Sequence, residues 1–275
     1  AGTYTITASA PGHTNAATSY TVNSVAAAST LTVSPANGTY GGTANLTATL
    51  TQTSGGAGVS GKSVSFTLNS STFTATTDSS GVATVLVNLA GINAGTYNPP
   101  TNGVSASFAG DSGFQASSGS NSLTVNQKAA SVTPNAASKT YGDADPTFSG
   151  SLSGFLTGDN VTASYSRTAG ETVAGSPYTI SATLSPAGVL GNYAITYNTA
   201  AFTINPKTAS VTPDAASKTY GDADPTFTGT LTGFLTADGV TATYARTAGE
   251  TVGGSPYTIS ATLSPTGVLG NYSIT

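Results

Sequence analysis

Very few side chains in this sequence could do chemistry, and their spacing narrows what that chemistry would be. A general base needs an oriented partner, and a nucleophile needs a base within reach. The 275 residues hold one histidine and no cysteine. That histidine, His13, sits in the loop-like run Ala10-Pro11-Gly12-His13-Thr14-Asn15 and reads as a surface residue. Serines abound, but no Gly-x-Ser-x-Gly elbow stands on a strand-to-helix turn. Glu171 and Glu250 are the only glutamates, and paired carboxylates can cleave sugars. Each, however, lies in the same heptapeptide, Arg-Thr-Ala-Gly-Glu-Thr-Val, and an acid repeated at one place in two copies suits architecture better than a single cleft. The spacing of Arg167 and Glu171, and of Arg246 and Glu250, predicts a hairpin whose three-residue tip sets the two charges on facing strands. Such a cross-strand ion pair contributes about 0.2–1 kcal/mol and helps to fix register. No enzyme is expected.

The remaining acids concentrate in one stretch that occurs twice, Ser138 to Gly150 (SKTYGDADPTFSG) and Ser217 to Gly229 (SKTYGDADPTFTG). Asp143 and Asp145, copied as Asp222 and Asp224, could bind calcium with a third acid, Asp159 or Asp238. Calcium asks for six to eight oxygens, and the EF-hand pattern that would supply them is missing. A corner explains more of the letters. In Tyr141-Gly142-Asp143, and in Tyr220-Gly221-Asp222, glycine can take positive φ while aspartate caps backbone N–H groups. Pro146, like Pro225, removes a donor and pushes the residue before it towards extended backbone, which would launch a strand at Thr147 and Phe148. Lys139 lies close enough in sequence to neutralise one acid. The expectation is a structural turn, with calcium as the ion that would stiffen it. A lysine–asparagine isopeptide bond, with Lys139 and Asn192 as the pair, is a further candidate staple. Five Asn-x-Ser/Thr sequons, at Asn37, Asn45, Asn69, Asn160 and Asn271, suit a threonine-rich text more than glycosylation.

The elements that must position these residues are strands. Leu46, Ala48 and Leu50 alternate with polar residues, as do Val64, Phe66 and Leu68, then Val104, Ala106 and Phe108. The same holds for Val161, Ala163 and Tyr165, and for Tyr178, Ile180, Ala182 and Leu184. Successive strand side chains point to opposite faces, so each run has an apolar face and a threonine- or serine-covered face. No apolar spacing of three and four is long enough for a helix, and turn signals such as Asp78-Ser79-Ser80-Gly81 fall at sandwich-like intervals. Charged residues are 7% of the chain, against about a quarter in an average domain. With a net charge of −4 and no basic run, a nucleic-acid partner is not expected. No apolar run approaches the length of a transmembrane helix, so no membrane insertion is expected in this window. The absence of methionine points to a mature form or an excerpt.

The larger pattern is repetition. Lys128 to Thr196 aligns without a gap on Lys207 to Thr275, and 12 of those 69 positions differ. Thr-Val-Asn at Thr21 to Asn23 and Thr124 to Asn126, and Thr-Ile-Asn at Thr203 to Asn205, mark module ends. The expected organisation is the back part of a module over 1–23, a complete module over 24–127, a 79-residue module over 128–206, and a second copy over 207–275. This last copy stops at Gly-Asn-Tyr-Ser-Ile-Thr, where the first continues with Tyr197 to Asn205. It should therefore lack its closing strand and present an open edge to which a neighbour could add one. Ala1 to Asn23 overlaps that copy at Tyr4 to Ile6, against Tyr257 to Ile259, instead of simply completing it. The joints at Gln127 and Pro206 are too short for flexible tethers. The fold class expected is all-β, with tandem immunoglobulin-like β-sandwich modules arranged end to end as a quasi-one-dimensional array.

Two resemblances add to this reading. The middle unit, with SGKSVSFTL, TTDSSGVATV and SASFAGDSGFQASSGSNSLTV, resembles the bacterial immunoglobulin-like repeats of surface proteins. The two copies with KTYGDADPTF, GSPYTISATL and GNYAITY resemble the MBG domain of the YGX type. The resemblance implies β-sandwiches in an extracellular or cell-surface bacterial stalk, adhesin or fibre, with no shared catalytic residues. Partners so implied are neighbouring modules, other copies in a fibre, and surface glycans. Glycan gripping by the exposed tyrosines is the alternative to a purely structural role, although Tyr165, Tyr178, Tyr244 and Tyr257 fall on core faces.

Overall fold

A computed structural model describes residues 2–22 and 25–275 of the chain. The module boundary expected at Asn23 and Ser24 lies outside the described residues. The fold is all-β. Among the described residues, helix is confined to the single turns Ala187–Leu190 and Thr266–Leu269 and to three-residue 3-10 turns. The chain divides into two compact units, residues 1–129 with 188–194 and residues 130–187 with 195–275.

In the first unit, strand Gly2–Ala8 pairs antiparallel with Ala16–Val22, with Tyr4 opposite Tyr20. Apart from Gly2, every residue of this hairpin is exposed. Two sheets follow. One runs in the order Ser29–Val33, Thr43–Gln52, Ala36–Thr39, Leu123–Asn126, Gly95–Tyr97, and Val82–Asn88 also pairs with Thr43–Gln52. The other runs Ser117–Asn121, Val104–Phe108, Ser63–Leu68, Ser71–Thr76. The period-two pattern decides what is buried: Leu46, Ala48 and Leu50 join Val64, Phe66, Leu68, Val104, Ala106 and Phe108 in the core. The opposite face carries threonines, and Thr47 and Thr84 meet across the ladder with hydroxyls 3.2 Å apart.

In the second unit, the first repeat copy pairs Lys128–Pro134 with Gly150–Ser153. Its other sheet runs Ala137–Thr140, Ala200–Asn205, Tyr178–Ser185, Thr162–Arg167. Ile180, Phe202 and Ile204 form its centre, and Tyr141, Phe148, Tyr165, Val173 and Tyr178 pack around them. The strand expected from Thr147 begins instead at Gly150. Residues 144–149 are unpaired in the ladder, and pairing starts only where Asn135 N–H meets the Ser149 carbonyl at 2.8 Å. Phe148 uses the intervening length to reach the core, edge-on to Phe202 at 5.5 Å.

Both units close their sheets in the same way. Leu123–Asn126 lies parallel to Ala36–Thr39, and Ala200–Asn205 lies parallel to Ala137–Thr140. The carbonyls of Asn126 and Asn205 accept the N–H of Tyr40 and Tyr141, each at 2.9 Å. A Thr-x-Asn strand therefore docks against the strand that leads into Thr-Tyr-Gly. In the second repeat copy, Thr241–Arg246 and Ile259–Ser264 form a two-stranded sheet, and residues 214–219 take no ladder position.

Candidate functional site

The charged residues singled out from sequence meet at the Thr-Tyr-Gly corner. Tyr141-Gly142-Asp143 turns with Gly142 at φ +83°, and the Asp143 N–H reaches the Thr140 carbonyl at 3.0 Å. Tyr220-Gly221-Asp222 repeats this, with Gly221 at φ +93° and the Asp222 N–H to Thr219 at 3.1 Å. Beyond the turn, Asp145 precedes Pro146 and Asp224 precedes Pro225. Asp145 accepts from Nε and Nη2 of Arg167 at 2.7 and 3.0 Å and from Lys139 Nζ at 2.8 Å. Glu171 accepts from the same arginine and the same lysine. Asp224, Arg246, Glu250 and Lys218 repeat the arrangement, with Arg246 to Asp224 at 2.9 and 3.0 Å.

The ion pair does not lie across facing strands. Arg167 ends its strand opposite Ile180, and Glu171 lies in the connecting loop 168–177. Glu250 likewise lies beyond the strand that Arg246 ends. The cause is a tyrosine that folds the loop back. The Tyr178 hydroxyl accepts from Thr172 N–H at 3.1 Å and donates to the Thr172 carbonyl at 3.0 Å. Its ring fills the space beside Gly170, where a Cβ would fall 2.1 Å from a ring carbon. Strand pairing stops before the tip, and the acid swings back to the arginine.

Two bases and two acids saturate one another in each copy. The Arg167 guanidinium beside Asp145 pulls that carboxyl down to about 2. Lys139 first, then Arg167, lowers Glu171 below the usual carboxylate range. The Arg167 guanidinium also lies 4.7 Å from the Phe202 ring centroid, so closing strand and ion cluster support each other. No acid in this arrangement is poised for proton transfer.

Calcium does not fit this donor set. Asp145 and Asp224 are held by cations. Asp143 and Asp222 sit on the exposed turns, while Asp159 and Asp238 end the 3-10 turns Thr157–Asp159 and Thr236–Asp238. Among the described residues, no three His, Asp or Glu side chains converge to hold a metal. The isopeptide pair is not made either: the Lys139 ammonium binds Asp145 and Glu171, and the Asn192 amide binds Asn93 and Ala94. His13 sits on an exposed turn, with its N–H 3.2 Å from the Ala10 carbonyl.

A second constellation is built from asparagine and tyrosine. Within the first unit, Asn192 Oδ1 accepts the Ala94 N–H at 2.8 Å, and the Tyr193 ring meets Tyr40 edge-on at 5.5 Å. Within the second unit, Asn271 Oδ1 accepts the Val173 N–H at 2.9 Å, and Tyr272 meets Tyr141 edge-on at 5.4 Å. In each unit an Asn-Tyr pair thus clasps a Thr-Tyr-Gly corner and one loop amide that lies nearly a hundred residues earlier. At the second clasp, Asp238 accepts both tyrosine hydroxyls, Tyr141 at 3.1 Å and Tyr272 closely. Burial, with the Asp238 carboxylate, pushes the Tyr272 phenol up to about 12. Leu235 packs on the bare Gly142, where a Cβ would fall 2.5 Å from its Cδ1. Asn192 and Asn271 are buried polar side chains with satisfied amides. The signal that could have found this clasp is Thr-Tyr-Gly, which occurs at Thr39, Thr140 and Thr219 and so lies outside the two repeat copies too.

The first unit also carries an open cleft of about 840 Å³ beside Tyr97, lined by hydroxyls and amides such as Ser65, Thr67, Asn69 and Asn102, with no ionisable side chain other than that tyrosine.

The model of a family described as MBG domain (YGX type) matches residues 130–203 and 209–275. No match is found among curated proteins. Among solved structures, the chain is similar to a Ca2+-stabilized adhesin that helps an Antarctic bacterium bind ice, at 18% identity and TM-score 0.32, covering 76% of this chain and 59% of that one. It is also similar to a 1.5-MDa bacterial ice-binding adhesin, at 14% identity and TM-score 0.29, covering 70% of each chain. A third similarity is to titin domains z1z2 in complex with telethonin, at 16% identity and TM-score 0.30, covering 64% of this chain and 93% of that one.

Proposed function

The chain belongs to the MBG domain (YGX type) family, and from that premise we propose that it is a structural repeat region of a large secreted or cell-surface bacterial protein. Its modules, 24–127, 128–206 and 207–275 after a partial one over 1–23, act as stiff spacers in a stalk or filament. The middle module is read as a bacterial immunoglobulin-like repeat. One observation carries the proposal: the buried asparagine clasp with its tyrosine pair occurs at both ends of the first repeat copy. A joint fixed by a buried hydrogen bond and an aromatic contact transmits bending, whereas a tethered joint does not. No catalytic role is proposed, since the ionic groups neutralise one another. Small-angle scattering on the chain tests the reading. A rod-like profile is expected, which Asn192→Ala with Asn271→Ala should convert to that of a jointed chain. A compact or freely jointed profile for the unaltered chain would overturn it.

The cleft beside Tyr97 favours one other reading, a module that binds glycans. An uncharged groove of hydroxyls and amides beside one aromatic ring offers hydrogen bonds and a stacking face to a neutral sugar. A glycan array separates the two: selective hits lost in Tyr97→Ala support binding, and a blank array removes this reading.

A further inference from the structure

We propose that Tyr141 and Tyr272 form an oxidative crosslinking site, in which a peroxide-driven one-electron oxidant joins the two rings as dityrosine while Asp238 takes their protons.

Composition decides where oxidation can go. The chain has no cysteine, methionine or tryptophan, and it has 13 tyrosines. The sulfur side chains that oxidants attack first are thus missing, and electron loss falls to the phenols. Coupling then needs two phenols in contact. The Tyr141 and Tyr272 rings meet with centroids 5.4 Å apart and planes at 78°. Both hydroxyls donate to the same carboxylate oxygen, Oδ2 of Asp238, Tyr141 at 3.2 Å and Tyr272 closely. A shared acceptor draws the hydroxyl ends together, and with them the ortho ring carbons, which are the carbons that couple. Further contacts hold Tyr272 in place. Its hydroxyl accepts the Leu235 N–H at 3.0 Å, Phe234 packs on its ring at 4.9 Å, and the adjacent Asn271 accepts the Val173 N–H at 2.9 Å.

Asp238 supplies the base. Burial first, then that carboxylate, raises both phenols above their ordinary range, so each keeps its proton until an electron leaves. A base within hydrogen-bond reach can take the proton as the electron departs. Asp238 is half-buried and hands each proton on to water. Each phenol thus loses one electron and one proton and becomes a phenoxyl radical. The radicals join through one carbon–carbon bond between ortho positions. The hydrogen on each joined carbon then moves to its oxygen, which restores both phenols. Two electrons and two protons leave in all, and one hydrogen peroxide takes them up as two waters. The product is a covalent tie across the clasp, in a chain without disulfides, and it closes a long loop. The site does not depend on the stalk reading, since a glycan-binding chain would gain the same link.

The full chain can be photo-oxidised with tris(bipyridine)ruthenium and persulfate, a small one-electron oxidant, at a dose that couples N-acetyltyrosinamide in a parallel tube. Trypsin should then release peptide 140–167 joined to 247–275, lighter than their sum by two hydrogen atoms. Fragmentation should place the bond at Tyr141 and Tyr272, and not at Tyr165 or Tyr257. In a mixture of isotope-labelled and unlabelled chains, each joined pair should be wholly labelled or wholly unlabelled. Tyr272→Phe, which keeps the ring, should abolish the species. Asp238→Asn should slow its formation several-fold with the Val173 amide still protected from exchange, and deuterium oxide should slow it in the unaltered chain. Should the variant lose that protection, the deuterium result alone decides the role of Asp238. Absence of the bond between Tyr141 and Tyr272, or a bond formed mainly between labelled and unlabelled chains, would overturn the proposal. So would an unchanged rate in Asp238→Asn or in deuterium oxide.

Discussion

Around Asp145, two cations and two acids share a few ångströms, and the consequences of removing any of them differ. The folded pKa of this carboxyl is about 2, below its usual 3.8, because Arg167 donates to it twice. A depressed carboxylate contributes stability that is present above its unfolded pKa and lost as pH falls through the folded one. Unfolding in urea should therefore show a loss of stability concentrated between pH 3.8 and 2, and Asp145→Asn should flatten that part of the profile. Arg167→Ala should cost about 1–3 kcal/mol, since it strips two carboxylates of a partner and Phe202 of a covering cation. Arg246→Ala should cost less in the same assay, because its site is more exposed and its guanidinium stacks on one ring, Tyr257. The four-residue spacing made the Arg–Glu pair legible in the sequence. Its geometry was not legible, because the loop that carries the glutamate is shaped by Tyr178, seven residues further on.

Strands, by contrast, were legible wherever one face is buried. Leu46, Ala48 and Leu50 fill the core in the alternation that the letters announced. What period two could not decide is whether a marginal strand forms. Ser138-Lys139-Thr140 and Ser217-Lys218-Thr219 are identical, yet the first is strand and the second is not. Local propensity is therefore not the cause; the parallel partner Ala200–Asn205 is, with its hydrogen bonds and its two buried side chains. This makes a prediction for the first copy. Phe202→Ala should cost about 3–5 kcal/mol, as a fully buried aromatic does. The amides of residues 138–140 should then exchange with solvent nearly as fast as those of 217–219, while the ladder between Thr43–Gln52 and Val82–Asn88 stays protected. Hydrogen exchange resolves the two segments. Equal protection of 138–140 before and after the substitution would show that the segment holds itself extended.

For the molecule as a whole, duplication was plain in the sequence, and the family match to both copies follows from it. The asparagine clasp found in each unit was hidden, because it is assembled from residues nearly a hundred apart, Val173 with Asn271 and Ala94 with Asn192. In an array with nearest-neighbour coupling, such contacts set whether copies melt together or one by one. Asn271→Ala leaves the half-buried Val173 N–H without its acceptor, a loss of about 1–3 kcal/mol placed at the clasp and not in the core around Phe202. Calorimetry should show it as a splitting of one transition within the second unit into two, more than as a fall in the lower one. Alkali should produce the same splitting without mutation. Burial and Asp238 raise the Tyr272 phenol from 10.0 to about 12, so the folded state holds that proton more tightly than the unfolded one. The contribution is complete below pH 10 and is lost as pH rises through about 12. Tyr272→Phe should weaken the alkaline splitting, because it keeps the ring on Tyr141 and deletes one of the two phenols that donate to Asp238. If both copies of the unaltered chain instead melt independently at neutral pH, the clasp does not couple them, and the stiffness argued from it has no source.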